Sequence, residues 1–283
     1  MTSVPSALPD DIAETVQRAL AEDVGSGDLT ATLIPKNQTV HAQVVTRENA
    51  ILCGCLWFDE VFRQLDTRVQ TTWKVSDGEA MRARQVLCQI EGPVRAILTG
   101  ERTALNFLQT LSGVATRTRA YVDAVRGTKA VVLDTRKTVP GLRLAQKYAV
   151  RCGGGQNHRL GLYDGILIKE NHIAAAGSIT AALNAAGAVA TPKMMVEIEV
   201  ENLTQLHEAL AAGAKRILLD NFDLEALRTA VTTARGRAQL EVSGGVTLAN
   251  VRAIADTGVD YISVGDLTKN VAAVDLSLRF DAA

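Results

Sequence analysis

The second half of the chain alternates short apolar runs with alanine-rich helical segments, and this rhythm constrains the fold more than any other feature. The runs are "AVVLDTRK", "GILIKEN", "MMVEIEVE", "RILLDNF", "AQLEVSGG" and "YISVGDLT". Strands that alternate with helices build parallel sheets, and strands that are apolar throughout are buried on both faces. The pattern predicts a barrel or a doubly wound sheet, and both place ligands at the carboxyl ends of their strands.

The first half has a different rhythm. A helical pattern in "LPDDIAETVQRALAEDV" precedes the β-rich runs "TVHAQVVTRENAILCG", "VQTTWKVSDGEAM" and "QVLCQIEGPVRAIL", which indicate a small, largely antiparallel sheet with helices. The following "TGERTALNFLQTLSGVATRTRAYVDAVRG" predicts a long helical stretch, with an interruption and a hinge at Ser112 and Gly113. The final "VDLSLRF" alternates as an edge strand does, and it could return to the N-terminal sheet.

Charge and cysteine content exclude several classes of protein. The 283 residues include 30 Lys and Arg against 31 Asp and Glu, so the chain has no overall positive field to hold nucleic acid or an anionic membrane. Cysteines are few and scattered, which argues against a disulfide framework or a structural zinc site, and Cys53 and Cys55 are predicted on one face of a strand. The sequence offers neither a signal peptide nor an apolar stretch of membrane-spanning length. We expect a cytoplasmic protein.

Positive charge is concentrated in one segment, "TRKTVPGLRLAQKYAVRCGGGQNHR", which covers residues 135–159. Its cationic or titratable residues are Arg136, Lys137, Arg143, Lys147, Arg151, His158 and Arg159. Arg136 and Lys137 directly follow a predicted strand, and Arg159 ends a glycine-rich loop. Guanidinium groups bind carboxylate and phosphate in a bidentate manner, so clustering at a strand end favours an anion site over a solvated basic loop.

Charged residues also end or interrupt the next three predicted strands. Lys169 ends "DGILIK", Glu197 and Glu199 share one face of "VEIEVE", and Asp220 ends "RILLD". Lys169 could be a Schiff-base nucleophile or a fixed charge that holds an anionic substrate. The carboxylates could bind sugar hydroxyls, hold Mg²⁺, stabilise a developing positive charge, or pair with the nearby cations. His172 in "KENHI" could orient a neighbour or pack inside.

Two glycine-containing turns, "EVSGGVTLAN" and "SVGDLTKN", leave the last two predicted strands. Each is predicted to enter a helix, so that its backbone N–H groups could hold a phosphate. Barrels commonly place phosphate sites at this position. Plain turn chemistry is the alternative for either loop.

Taken together, these segments resemble the quinolinate phosphoribosyltransferases over nearly the whole chain. The resemblance rests on "AEDVGSGDLT", "GERTALNFLQTLSGVAT", "LDTRKTVPGLRLAQKYAVRCGGGQNHR", "LYDGILIKENHI", "VEIEVE", "LLDNF", "EVSGG" and "SVGDLTK", in this order. It implies a two-domain fold of α/β and α+β type, in which an N-terminal open-faced α/β sandwich (residues 1–115) precedes an incomplete TIM-like α/β barrel (residues 116–273). The C-terminal strand at 274–281 is expected to join the sandwich.

The resemblance also implies a reaction. Phosphoribose would pass from phosphoribosyl pyrophosphate (PRPP) to the ring nitrogen of quinolinate with loss of one carboxylate as CO₂, which gives nicotinate mononucleotide and pyrophosphate. Mg²⁺ is the implied cofactor. Two rivals remain open from the residues alone: a Schiff-base aldolase that uses Lys169, and a non-catalytic protein that binds anions.

The resemblance assigns residues to each substrate. Quinolinate would be bound by Arg102, Thr135, Arg136, His158, Arg159 and Lys169. PRPP would be bound by Lys137, Glu199, Asp220, Ser243, Gly244, Gly245, Ser263 and Gly265. Lys169, Glu199 and Asp220 would be catalytic, Glu199 and Asp220 would also hold Mg²⁺, and Arg102 would complete the site of a neighbouring subunit in a homodimer. One departure is Asp266, which places a negative charge beside the implied phosphate loop.

Overall fold

The computed structural model describes residues 8–281, which form two compact units, each built from more than one segment of the chain. The first unit holds the residues up to Arg119, residues 138–154 and the residues from Leu267 onward; the second holds Ala120–Lys137 and Gly155–Asp266. Residues 138–154 fall within the predicted barrel segment and yet belong to the first unit. Gly153 permits this, because a Cβ atom there would lie 2.5 Å from the carbonyl oxygen of Ala115. The N-terminal stretch for which no signal peptide is predicted lies partly in residues 1–7, outside the described residues.

The first unit is an antiparallel sheet with helices. Its strands are β1 (Thr39–Thr46), β2 (Ala50–Ile51), β3 (Gln70–Trp73), β4 (Ala80–Met81), β5 (Val86–Pro93) and β12 (Leu276–Phe280), and its helices include α1 (Ile12–Val24), α2 (Cys55–Leu65) and α4 (Arg143–Cys152). The larger sheet has the order β12-β1-β5-β3, with β12 and β5 antiparallel to β1, while β2 pairs with β4. In β1, Ala42 and Val44 are buried whereas His41 is exposed, so one face of the sheet packs and the other is open.

Helix α3 (Val94–Ala124) runs without interruption for 31 residues, so the predicted break and hinge at Ser112 and Gly113 is wrong. The Ser112 hydroxyl bonds to the backbone N–H and carbonyl of Cys53, at 3.0 and 3.1 Å. A Cβ atom on Gly113 would come well inside 3.0 Å of the carbonyl oxygen of Ala272, a separation that real Cβ atoms essentially never show. The glycine therefore serves a close backbone approach and does not end the helix.

The predicted strand around Cys53 and Cys55 is also wrong. Strand β2 ends at Ile51, and Cys55 is the first residue of α2. The chain reverses at Gly54, whose φ of 114° lies in the left-handed region, and no alternation can be maintained through such a residue. Cys53 is nonetheless fully buried.

The second unit is a parallel sheet covered by helices. Its strands are β6 (Val131–Leu133), β7 (Gly165–Ile168), β8 (Met195–Val200), β9 (Arg216–Asp220), β10 (Gln239–Ser243) and β11 (Tyr261–Ser263), and its helices are α5 (Glu170–Ala176), α6 (Ile179–Val189), α7 (Leu203–Ala211), α8 (Leu224–Ala234) and α9 (Val251–Ala255). A short α10 (Asp266–Lys269) follows β11. In the described residues the strand order is β6-β11-β10-β9-β8-β7, so β6 and β7 are the two edges. This open, all-parallel arrangement confirms the predicted incomplete barrel.

Helix length and composition bear on whether the described part of the chain could cross a membrane. Between residues 8 and 281, no single helix is long and apolar enough to cross a membrane. The helix pair α5 and α6, bent by 95°, passes the same test of length and composition when the two are joined.

Candidate active site

A cavity of about 350 Å³ lies in the second unit, at the carboxyl ends of the barrel strands. It is lined by Thr135, Arg136, Lys137, His158, Arg159, Leu167, Lys169, Glu199, Leu218, Glu241, Ser243 and Ser263. Most of the residues predicted to bind substrate therefore meet in one place. The cavity combines cationic side chains with two carboxylates and a short apolar wall made by Leu167 and Leu218, a composition suited to an anionic aromatic ligand.

Two arginines bring like charges together at this cavity. The Arg159 guanidinium donates to the carbonyl oxygen of Gly165 at 3.1 Å. Burial lowers the pKa of Arg159, and the positive charge of Arg136 lowers it further. A dianion placed between these groups would relieve their repulsion, so the arrangement favours binding of a dicarboxylate or a phosphate.

Asp134 holds the glycine-rich loop against β6. This buried carboxylate accepts hydrogen bonds from the side-chain amide of Asn157 at 2.6 Å and from the backbone N–H of His158 at 2.9 Å. The loop also pairs with the strand end, because the backbone N–H of Gln156 donates to the carbonyl of Val132 at 2.9 Å. These bonds fix the backbone from which His158 and Arg159 reach into the cavity.

Lys169 and Glu199 form an ion pair at the cavity. Lys169 Nζ lies 2.7 Å from Glu199 Oε2, with 48% of the lysine side chain and 7% of the glutamate side chain exposed. His172 lies on α5 and its Nδ1 accepts a hydrogen bond from the backbone N–H of Lys169 at 3.0 Å, so it orients a neighbour and is not packed in the core. A Schiff base needs a free amine, whereas this Nζ is engaged by a carboxylate, which weighs against the aldolase hypothesis.

A buried network below the cavity was not predicted as a unit. His158 Nε2 lies 2.8 Å from Glu197 Oε2, and Arg216 bridges Glu197 Oε1 at 3.1 Å and Glu241 Oε2 at 2.5 Å. Arg216 also stacks on Tyr261, with its Cζ 4.1 Å from the ring centroid. Glu197 and Glu199 are predicted on one face of their strand, but they do not share one environment. Glu199 lines the cavity, whereas Glu197 belongs to the buried network. The signal for Glu241 was a single charge in the middle of the strand "QLEVS", whereas Arg216 is the first residue of "RILLD".

The strand ends of β9 and β10 are tied together by side chains. Asp220 accepts hydrogen bonds from the Ser243 hydroxyl at 2.7 Å and from the Asn221 side chain at 2.8 Å. Gly244 has a φ of 87°, and a Cβ atom there would come well inside 3.0 Å of the Asn221 side-chain oxygen. Gly245 also has positive φ but faces open space. The loop after β10 is thus shaped by its glycines, and α9 begins at Val251, directly after the predicted turn "EVSGGVTLAN".

The loop after β11 approaches Lys137. A Cβ atom on Gly265 would lie 3.0 Å from Lys137 Cδ, so the glycine makes room for the lysine stem. Asp266, the residue that departs from the family pattern, accepts a hydrogen bond from the Tyr121 hydroxyl at 3.2 Å. Its carboxylate is therefore engaged by the second unit itself.

Other predicted residues lie elsewhere. Arg102 is exposed on α3, within the first unit. Arg143, Lys147 and Arg151 lie on α4, also in the first unit, and do not line the cavity. Four-residue spacing places these three on one helix face of the first unit, whereas Arg136 and Arg159 belong to the second unit.

Comparison with known proteins identifies the family. Residues 28–112 match the family model described as "Quinolinate phosphoribosyl transferase, N-terminal domain", and residues 114–279 match the model of the C-terminal domain. A nicotinate-nucleotide pyrophosphorylase (carboxylating) of Mycobacterium leprae is 46% identical over 278 residues, covering 95% of this chain and 97% of that protein. A probable enzyme of the same name from Bacillus subtilis is 44% identical over 257 residues, covering 91% and 89%. The solved nicotinate-nucleotide pyrophosphorylase of Francisella tularensis superposes with a TM-score of 0.95 at 48% identity, covering 99% of this chain and 100% of that one.

Proposed function

The chain belongs to the quinolinate phosphoribosyltransferase family, and we infer from this membership the roles of the residues around its cavity. It is a decarboxylating transferase of NAD biosynthesis. It transfers phosphoribose from PRPP to the ring nitrogen of quinolinate, with loss of CO₂, and it yields nicotinate mononucleotide and pyrophosphate. The observation that supports placing this reaction at the cavity is the concentration of cations beside Glu199.

We propose that the arginine side of the cavity binds quinolinate. Its two carboxylates would lie between Arg136 and Arg159, whose mutual repulsion a dianion relieves, with Thr135 and His158 as further polar contacts. Lys169 would hold the ring in position from the opposite wall. The apolar side chains of Leu167 and Leu218 would contact its face, which is the remaining surface of a flat aromatic ligand.

We propose that the loops after β10 and β11 bind the 5′-phosphate of PRPP. Within residues 8–281, the backbone N–H groups of Gly244 and Gly245 donate no hydrogen bond, so both can donate to a phosphate. The hydroxyls of Ser243 and Ser263 line the same part of the cavity. Gly265 would keep the loop close to the ligand and make room for the stem of Lys137, whose ammonium would contact the pyrophosphate.

Glu199 and Asp220 are proposed to act on the ribose. Cleavage of the C1–pyrophosphate bond leaves oxocarbenium character on the sugar, and a carboxylate held in place by Lys169 stabilises it without reorganisation. The carboxylate of Asp220, oriented by Ser243, would accept from the ribose hydroxyls. Both are oxygen donors of the kind that Mg²⁺ takes together with substrate phosphates, so they fit the implied metal. When bound, Mg²⁺ would neutralise charge on the departing pyrophosphate.

We propose a homodimer in which Arg102 completes the neighbouring site. The guanidinium is exposed on α3 and is available to a second copy of the chain. A quinolinate dianion bound by residues of two subunits would make the dimer the smallest active unit. The expected compartment is the cytoplasm.

The reaction is tested by release of labelled CO₂ from carboxyl-labelled quinolinate with Mg²⁺, in the presence and absence of PRPP. PRPP-dependent release that is matched by nicotinate mononucleotide is the expected result, with Lys169→Ala as an inactive control. CO₂ release without PRPP, or no release from the folded protein, would refute the proposed function.

A further inference from the structure

The reaction leaves one chemical requirement unassigned. When a ring carboxylate departs as CO₂, a hydrogen takes its place on the ring carbon, so a proton must be delivered there. This inference rests on the proposed function, because it concerns the last step of that reaction. We propose that Glu241 is the catalytic acid that delivers this proton.

Few groups around the cavity can release a proton. Of the described lining residues, the arginines remain protonated at any pH at which the protein folds, which leaves Lys137, Lys169, His158 and Glu241. The stem of Lys137 lies against Gly265, in the loop proposed to bind PRPP, and its charge is assigned there to the pyrophosphate. Lys169 Nζ is held by Glu199 at 2.7 Å, and its side chain is half-exposed. Loss of its proton would deprive Glu199 of its counter-charge at the moment when that carboxylate faces the sugar. Lys169 is therefore a poor donor for this step.

The hydrogen bonds of His158 exclude it as the source. The backbone N–H of Arg159 donates to His158 Nδ1 at 2.8 Å, so Nδ1 is an acceptor and carries no proton. The ring proton is then on Nε2, which lies 2.8 Å from Glu197 and donates to it. Releasing that proton would leave an imidazolate anion. His158 can orient and stabilise, but it cannot supply a proton in this state.

Glu241 lines the cavity, and it has one oxygen committed and one oxygen left open, without a hydrogen-bond donor. Oε2 accepts from Arg216 at 2.5 Å, whereas Oε1 has no hydrogen-bond partner among the described residues although the side chain is fully buried. His158 Nε2 is 3.6 Å from Oε1. A buried oxygen without a donor is stable only if it carries a hydrogen itself or meets one from a ligand. The open oxygen of Glu241 is where a transferable proton would reside.

Charge balance places the proton on Glu241 and not on Glu197. The polar atoms of His158, Glu197 and Glu241 lie within 4.8 Å of one another, and one guanidinium cannot balance two buried carboxylates. Burial would raise the pKa of Glu197, but its hydrogen bond from His158 and the charge of Arg216 lower it overall. Burial raises the pKa of Glu241 to about 7, and the charge of Glu197 adds to the rise. The other groups that face the pair are Tyr261, packed on Arg216, and the cations of the cavity wall.

The step balances without a further reactant. The bond between the ring carbon and its carboxylate breaks, CO₂ leaves, and the electron pair stays on the carbon next to the cationic ring nitrogen. The Oε1–H bond of Glu241 then breaks, and its proton forms the new C–H bond with that electron pair. Glu241 becomes a carboxylate that Arg216 stabilises, and it regains a proton from water after the product leaves. Fast protonation prevents CO₂ from recombining with the carbanion.

The variant Glu241→Gln tests the assignment, because it keeps the shape and removes the acid. General acid catalysis contributes on the order of 10²-fold to 10⁴-fold, so kcat should fall at least about 100-fold. The wild-type kcat should decrease above about pH 7, where the acid form is lost, and the variant should lack this decrease. The matched control is Glu197→Gln. It removes the neighbouring negative charge, so the decrease should persist but move to lower pH.

A second readout separates chemistry from structure. In a mixture of H₂O and D₂O, the hydrogen-to-deuterium ratio at the new C–H bond of nicotinate mononucleotide reports the proton donor. Glu241→Gln should change this ratio, and Glu197→Gln should leave it as in the wild type. If Glu241→Gln keeps both the alkaline decrease and the wild-type ratio, the assignment is overturned.

The outcomes for the proposed function and for Glu241 are distinct. Failure of the wild-type protein to release CO₂ would refute the reaction itself. Normal wild-type turnover with an unaltered Glu241→Gln profile would refute only the role of Glu241. Should that variant not fold by circular dichroism, the wild-type profile decides, since a kcat that is constant from about pH 6 to about pH 9 contradicts an acid of this kind.

Discussion

Two glycines inside helices should respond to alanine with opposite signs. Gly113 lies in α3 against the carbonyl of Ala272, and Gly187 lies in α6 with no atom near the position of a Cβ. Alanine is favoured over glycine inside a helix by about 1 kcal/mol. At Gly187 this gain is unopposed, so Gly187→Ala should raise the free energy of unfolding by about 0.5–1 kcal/mol.

At Gly113 the steric cost should exceed the gain. The obstacle is a backbone oxygen, which cannot turn away as a flexible side chain could, and the same segment is fixed because the N–H of Val274 donates to the carbonyl of Gln109 on α3 at 3.1 Å. Overpacking typically costs 1–3 kcal/mol and occasionally more, and this overlap belongs at the upper end, about 3 kcal/mol. Subtracting about 1 kcal/mol for helix propensity leaves a net loss of about 2 kcal/mol.

Urea unfolding followed by circular dichroism measures both variants. A loss of about 2 kcal/mol corresponds to a decrease in Tm of roughly 4–8 °C for a unit of this size. Because the chain forms two compact units, the transition of the first unit should shift for Gly113→Ala and that of the second for Gly187→Ala. A Gly113→Ala protein as stable as the wild type would show that α3 and Ala272 do not approach each other closely.

Further predictions concern the cavity. Arg159→Lys loses the planar guanidinium and its hydrogen bond to the carbonyl of Gly165. The KM for quinolinate should therefore rise about tenfold to 100-fold in steady-state kinetics. An unchanged KM would show that Arg159 does not bind quinolinate. Mixing inactive Arg102→Ala with inactive Lys169→Ala subunits should restore activity through hybrid dimers; no recovery after confirmed subunit exchange would contradict the shared site. Asp266→Ala should leave the KM for PRPP unchanged. It should lower the free energy of unfolding by about 1 kcal/mol, because the carboxylate loses its hydrogen bond from the Tyr121 hydroxyl. A lower KM would mean that Asp266 repels the phosphate.

The fold class and the anion site could be predicted because they depend on local pattern. Apolar runs that alternate with helices specify a parallel sheet, and the carboxyl ends of such strands share one edge, so Arg136, Lys169 and Glu199 had to be neighbours. The break in α3 was predicted wrongly for the opposite reason. A glycine in a helical pattern indicates either an end or a close contact, and the contact partner Ala272 lies 159 positions later in the printed sequence.

The network below the cavity shows what a strand pattern leaves undetermined. Alternation tells which face a side chain occupies, but not how deep it lies, because depth depends on the register between strands. Glu199 pairs with Leu218, and Leu218 pairs with Glu241, so Glu199 and Glu241 lie at the same height along the sheet. The sequence of either strand alone does not indicate this. Two residues earlier along each strand, the same register brings Glu197 level with Arg216.

This register explains how one short barrel can hold two carboxylates with different tasks. Glu199 lies at the wall, 2.7 Å from the ammonium of a half-exposed lysine, where the proposed reaction would develop positive charge on the sugar. Glu241 lies at the same level but shares the guanidinium of Arg216 with Glu197, and a single cation cannot keep both of them ionised. In the proposed reaction, Glu199 would act as the anion and Glu241 as the acid within one cavity. A reaction that first stabilises a cation and then protonates a carbanion requires both forms.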